Sequence, residues 1–408
     1  MSADPQNPSN ARRPSRGFIA ALAGVLILAV VVGLLLGGKD KSSNNASSRP
    51  ATGSVRRPPL QPGSVLPTLP PRAQSLLDRL PLERRVGQLF LVDFPGRKAP
   101  KTLATGLRSH GWGGVIFTRD NYANPGQSNG LVGAVTRMGR GTKPVAPLFV
   151  ADQDGGPATA FPFLPPRSQP RTARRLRVSD GAAQAQAAGR ELHRRGISMT
   201  LAPQADLDVP SGAVSEETFS PNPKIVTDFV SAQLDAYRRA RVISAIGHFP
   251  GQGSVSEDPD LRVGSVGLSL DDLRARDETP FRAVAARAPA FVVSNALYAA
   301  FDGVTPAVLL PEVVGELRGR VAFHGVIVSD DLGATVQPTG EDVGVAAVRA
   351  VKAGIDLVYV SGGPAEQERA YRAVLAAAKS GQIPAARLKG ALTRLLALKI
   401  TAGVLPKR

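Results

Sequence analysis

The chain has 408 residues and no cysteine, which excludes disulfide frameworks, thiolate metal sites and thiol chemistry. A length well beyond one ordinary core fits a barrel of roughly 250 residues or more together with an appendage. The formal net charge is +17, but only 5% of the residues are aromatic and no basic stripe interleaved with aromatics occurs, so no nucleic-acid partner is expected.

The appendage comes first in the chain. Residues 18–36 are apolar and uncharged, as long as the roughly 20 residues a helix needs to cross a bilayer. Arg12, Arg13 and Arg16 precede this stretch, while Lys39, Asp40 and Lys41 nearly cancel after it. The positive-inside rule therefore predicts a cytoplasmic tail over 1–17, an uncleaved anchor over 18–37 and everything else outside the cell membrane. A cleaved signal peptide is the rival, but it favours a shorter apolar region and an Ala-x-Ala site. Residues 38–72 are rich in Ser, Pro, Gly and Arg without apolar periodicity, which predicts a disordered tether, stiffened by prolines in its distal half. A basic surface on the exported part suits anionic lipid headgroups or anionic wall polymers.

From 73 to 408 strand and helix signals alternate, the pattern of a parallel sheet with crossover helices. Eight strand-like runs each end in a polar residue: 89–93, 115–119, 148–152, 199–206, 242–248, 291–295, 325–330 and 357–361. Between them, 181–195, 224–240, 270–288, 341–353 and 364–380 carry apolar residues at helical spacing, and 388–401 reads as a last helix. Eight such units predict a (β/α)8 TIM barrel, whose chemistry sits at the C-terminal ends of the strands. An open doubly wound sheet would need a Gly-rich phosphate turn after an early strand, and none is present.

Asp330 is the most informative of the strand-end residues. It places a carboxylate after Val326-Ile-Val-Ser329, where it suits either nucleophilic chemistry or the capping of the next helix, a job that Asp331 could take as well. His110, His193 and His324 are dispersed, without His-x-His spacing, and no metal or other cofactor is expected.

In this order, Gly113-Gly-Val-Ile-Phe117, Asp152-Gln-Asp-Gly-Gly156, Leu201-Ala-Pro203 with Asp206, His248-Phe-Pro-Gly-Gln-Gly253 and Ser329-Asp-Asp-Leu332 resemble glycoside hydrolase family 3. Within it, the single-domain bacterial β-N-acetylglucosaminidase branch is similar over about residues 80–405, with Leu82 to Leu89 resembling its opening helix and first strand. The resemblance implies a retaining β-N-acetylhexosaminidase-like enzyme acting on cell-wall glycan, and a monomer is expected. It places Asp330 as nucleophile, and Asp152, His248 and Asp206 at sugar-binding or supporting positions.

The chain also departs from that branch. Where relatives carry Asp-Ser-His, with the histidine as acid/base, this chain has Asp258-Pro-Asp260. Asp260 is then the candidate proton donor, with Asp258 and Glu257 as alternatives. Glu217 stands in the family's Arg-Ser-Phe-Gly stretch, Gly247 replaces a lysine, and Asn295 replaces a histidine, so the usual cationic clamp on the sugar is lost. These losses leave a second expectation open, a catalytically degenerate relative that binds glycan or a wall partner through the old site, or a glycosidase with another sugar preference.

Overall fold

The computed structural model describes residues 66–406, excepting 211 and 339. The expected tail, anchor and most of the tether lie outside these residues. Among the described residues, no helix is long and apolar enough to cross a membrane.

The eight predicted runs form eight parallel strands: β1 (Phe90–Val92), β2 (Gly114–Phe117), β3 (Leu148–Ala151), β4 (Met199–Thr200), β5 (Ile243–Phe249), β6 (Ala290–Val293), β7 (Val326–Ser329) and β8 (Val358–Val360). They pair in the order β8-β1-β2-β3-β4-β5-β6-β7. A parallel bridge between Val328 and Leu357 joins the two ends, with Ser329 N–H donating to Leu357 O at 2.9 Å. Nearly every strand residue is buried, as expected for parallel strands covered on both faces. That double burial explains their continuous β-branched and aromatic runs.

Proline and small polar residues start the crossover helices. Pro125 and Pro223 open the helices Pro125–Arg140 and Pro223–Arg239 after Asn124 and Asn222, whose side chains cap them. Asp342 accepts from Gly344 and Val345 N–H at the start of Val343–Ala353. Proline at the first turn costs no hydrogen bond, and an Asn or Asp cap satisfies an orphan donor. The helices Val178–Arg195, Pro364–Lys379 and Ala385–Thr401 fall close to their predicted spans.

Two expectations need correction. The continuous helix over 270–288 is broken into Leu270–Asp272, a π-turn Leu273–Asp277 and Thr279–Val284. Pro280 has no N–H to continue the ladder, and the wide turn carries Asp277 and Glu278 into the interior, each 0% exposed. A Cβ on Gly251, at φ +125, would lie 2.5 Å from Asp277 Cβ, so this approach requires glycine. The folded unit also begins before residue 73, because Leu69 belongs to the core and a helix starts at Pro71.

At the N-terminal end of β8, Asp356 is buried among Arg318, Arg387 and Arg394. It accepts from Arg394 at 2.7 and 2.8 Å, from Arg318 at 2.7 Å and from Arg387 at 3.1 Å. Burial opposes its charge, but the three guanidinium groups outweigh burial and hold the carboxyl below the usual carboxylate range. This network ties β8 to the helices Pro311–Gly319 and Ala385–Thr401 opposite the face that carries the strand-end carboxyls.

Candidate active site

The C-terminal ends of the strands gather a ring of acids around one histidine. Asp206, just after β4, meets His248 of β5 through two bonds: the ring Nδ1 lies 2.9 Å from Asp206 Oδ2, and the main-chain N–H donates to the same oxygen at 3.1 Å. Gln252 N–H donates to Asp206 Oδ1 at 2.6 Å. Burial disfavours a charged imidazole, yet the Asp206 bond and the charges of Asp206, Asp330 and Glu217 overcome it and push the His248 pKa well up. The imidazolium form of the ring is thus favoured, with one nitrogen committed to Asp206.

Asp330 follows β7 at the same mouth and feels the charge of His248. Its Oδ1 accepts Asp331 N–H at 2.9 Å. Burial outweighs His248 and the main-chain N–H groups of Asp331 and Asn295, which favour its ionised form, so its pKa is raised above the usual carboxylate value. Helix capping falls to Asp331, whose Oδ1 accepts Gly333 N–H at 2.8 Å and Ser361 N–H at 3.1 Å. Asp330 is therefore spared the capping role that competed for it.

The loop after β5 brings Asp260 to the same mouth. Asn295 Nδ2 donates to Asp260 Oδ1 at 3.3 Å and to Pro259 O at 3.4 Å. Desolvation of the carboxyl and then the charge of Asp330 raise the Asp260 pKa to about 7; the residue as a whole is exposed at the rim, where solvent tempers the effect without reversing its direction. Asp258 shapes the loop by accepting Asp260 N–H at 3.0 Å. Glu257 is exposed and lies 3.9 Å from Arg262, so it serves the outer surface of the loop rather than the mouth.

Asp152, after β3, presents a buried Oδ1 with no hydrogen-bond partner. Burial and the charges of Asp154 and Glu217 push its pKa well up. Glu217 ends the short turn Ser215–Glu217, and burial followed by Asp154 raises it to about 8. The eight candidate residues thus act on one another within a single mouth.

Three more groups join them that sequence reasoning did not single out. Asp93, at the end of β1, is raised to about 6 by burial and then by Asp331, and Gln367 donates to it at 2.8 Å. Asp154 accepts Gly156 N–H at 2.8 Å and the Thr159 hydroxyl at 2.9 Å, which braces the loop after β3. The Tyr359 hydroxyl of β8 feels Asp331, Asp93, Asp260 and Asp330. Asp93 was legible as a strand-end polar residue, whereas Tyr359 lies inside an apolar run that hides its direction.

Two clefts lie to the side of most of these carboxyls. One of about 490 Å³ runs beside Trp112 and the helix Lys101–Ser109, touching Asp93 at one end; another of about 570 Å³ lies around Arg97, Arg119 and Tyr122. Chemistry locates the site better than room does, because of the converging acids Asp93 alone lines either cleft. Among the described residues, no three His, Asp or Glu side chains are arranged to hold a metal ion.

A parallel β/α barrel with carboxyls converging at its C-terminal mouth defines an enzyme of the barrel glycosidase class. The profile of the glycosyl hydrolase family 3 N-terminal domain matches residues 81–398, and the chain belongs to that family. It is 31% identical to a secreted glycosyl hydrolase from Arthroderma benhamiae, over 77% of this chain and 92% of the relative. It is 28% identical to a beta-hexosaminidase from Stenotrophomonas maltophilia, over 67% of this chain and 83% of that protein. Among solved structures, a family 3 beta-N-acetylglucosaminidase from a Paenibacillus species is similar with a TM-score of 0.74 and 30% identity, covering 80% of this chain and 63% of that one. A beta-N-acetylhexosaminidase from Beutenbergia cavernae gives a TM-score of 0.72 at 28% identity, covering 78% and 98%. The protein is a glycosidase that hydrolyses O-glycosyl bonds, and these relatives do not favour the degenerate reading.

Proposed function

We propose that the enzyme removes terminal β-linked N-acetylglucosamine from cell-wall glycan with retention, using Asp330 as nucleophile and Asp260 as acid/base. The observation that carries this reading is the division of work at the end of β7, where Asp331 caps the helix and Asp330, free of that role, is under the charge of His248. In the first step an Asp330 oxygen bonds to the anomeric carbon as the glycosidic bond breaks, and Asp260 gives its proton to the departing oxygen. In the second, Asp260 takes a proton from water, whose oxygen displaces Asp330. Retaining chemistry needs the two carboxyls about 5 to 5.5 Å apart, and closure of the loop over substrate would supply any remaining approach.

Asp152, Glu217 and Asn295 bind the sugar in this reading, and the His248–Asp206 pair supports the nucleophile's charge and contacts sugar hydroxyls. We further propose that residues 18–37 anchor the chain in the cell membrane with the barrel outside, which would bring the enzyme to its polymer; the apolar run and its arginine flank support this. The direct test is a panel of p-nitrophenyl β-glycosides with the full-length chain, in which the N-acetylglucosaminide is expected to be turned over and Asp330→Asn to abolish turnover. No hydrolysis of any β-glycoside, by protein shown to be folded, would overturn the assignment. Protease accessibility of the barrel in intact cells tests its placement.

A further inference from the structure

We infer that the same mouth also accepts a terminal 2-amino-2-deoxy sugar in its ammonium form, so that de-N-acetylated glycan is a second substrate class beside the N-acetylated one. This rests on the glycosidase reading of the site and adds the charge of the sugar.

The first observation is an excess of acceptors. Asn295 is only 6% exposed, yet its Oδ1 has no partner; its amide nitrogen is already engaged with Asp260 and Pro259, and its main-chain N–H serves Asp330. Asp152 Oδ1 is likewise buried and unpartnered. Buried acceptors without donors are costly, and a site that keeps them awaits a ligand rich in donors. An N-acetyl group brings one N–H and adds another acceptor. An ammonium group brings three donors and none.

The second observation is charge. The charges of Asp154, Glu217 and Asp260 act on Asp152, and those of Asp154, Asp260 and Asp258 act on Glu217. In both cases His248 is the one cation among the leading influences, and its ring is already engaged with Asp206. The acids are not arranged as a metal cage among the described residues, so the missing positive charge falls to the ligand. Burial and mutual repulsion favour proton uptake by Asp152 and Glu217 when no cation is near. A bound ammonium would stabilise their ionised forms and expel protons.

Two measurements on the full-length chain test this. Isothermal titration with glucosamine and with N-acetylglucosamine, in buffers of different ionisation enthalpy, should show glucosamine binding roughly tenfold more tightly or better at pH 7, the worth of one charge-assisted hydrogen bond. Binding of glucosamine should also release protons. In parallel, the ratio of kcat/KM for p-nitrophenyl β-glucosaminide to that for the N-acetyl analogue should rise from pH 5 to pH 7. That ratio should fall by roughly tenfold in Glu217→Gln and in Asp152→Asn. Equal or weaker glucosamine binding without proton release, or a ratio unmoved by pH and by both substitutions, overturns the inference while leaving the glycosidase assignment standing. Absence of turnover on both glycosides would strike the catalytic reading, and the titration alone would then decide the inference.

Discussion

Asp331 N–H donates to Asp330 Oδ1 at 2.9 Å, while Asp331's own carboxylate accepts Gly333 and Ser361 N–H. The adjacent acids therefore hold different roles, and substitution should separate them. Asp330→Asn keeps shape and leaves the helix cap in place, so kcat should fall by about a thousandfold or more with the unfolding midpoint nearly unchanged. Asp331→Ala removes the cap and should cost about 1 kcal/mol of stability. Steady-state kinetics and urea unfolding of both variants check this; a large loss of stability in Asp330→Asn with activity intact in the folded fraction would reverse the assignment.

The proton donor is tested by pH. Asp260 is raised to about 7 by desolvation and by Asp330, so it keeps its proton into the neutral range and loses it above. As a general acid it predicts kcat/KM falling on the basic side of about pH 7. Asp260→Asn should remove that limb and lower the rate by about 100- to 10,000-fold. If instead the limb survives in Asp260→Asn and disappears in Glu217→Gln, whose carboxyl is raised to about 8, the proton donor is Glu217.

Much of this site was legible because strand ends announce themselves: Val326 to Val328 is apolar and β-branched, then Ser329 and two acids follow. The barrel was legible for the same reason, eight buried runs each closed by a polar residue. Other features were masked by composition. The helix Pro125–Arg140 contains Gly126, Gly130, Gly133 and Gly139, which weaken helix propensity; Gly139 is required there because a Cβ would sit 2.6 Å from the Phe149 ring. The π-turn at Leu273–Asp277 carries a helical pattern in sequence, and only packing against Gly251 reveals its break. Choosing among Glu257, Asp258 and Asp260 likewise required the fold, since the contact with Asn295 distinguishes them.

The acceptor should be water rather than phosphate. Asp152, Glu217, Asp260 and Asp330 share a mouth in which His248 is the leading cation, and a phosphate dianion entering it would meet several carboxyls at once. Adding inorganic phosphate to the assay at constant ionic strength should leave the rate unchanged and give no sugar 1-phosphate by phosphorus NMR. Formation of the phosphorylated sugar would show that the His248 imidazolium governs the acceptor's approach.

The opposite end of the barrel sets stability. Asp356, 0% exposed, neutralises part of the charge of Arg318, Arg387 and Arg394, and removing it leaves three guanidinium groups facing one another in the interior. Breaking a buried ion pair in this way costs about 3 to 5 kcal/mol, so Asp356→Ala should lower the urea midpoint markedly at pH 7. Linkage gives the pH dependence. The folded-state pKa of Asp356 is depressed, so its contribution is complete above the unfolded value of about 3.9 and is lost as pH falls toward the folded value. The gap between wild type and Asp356→Ala should therefore be constant from pH 8 to pH 5 and narrow only in stronger acid. A gap that already narrows near pH 6 would mean that the aspartate is not held ionised by the three arginines.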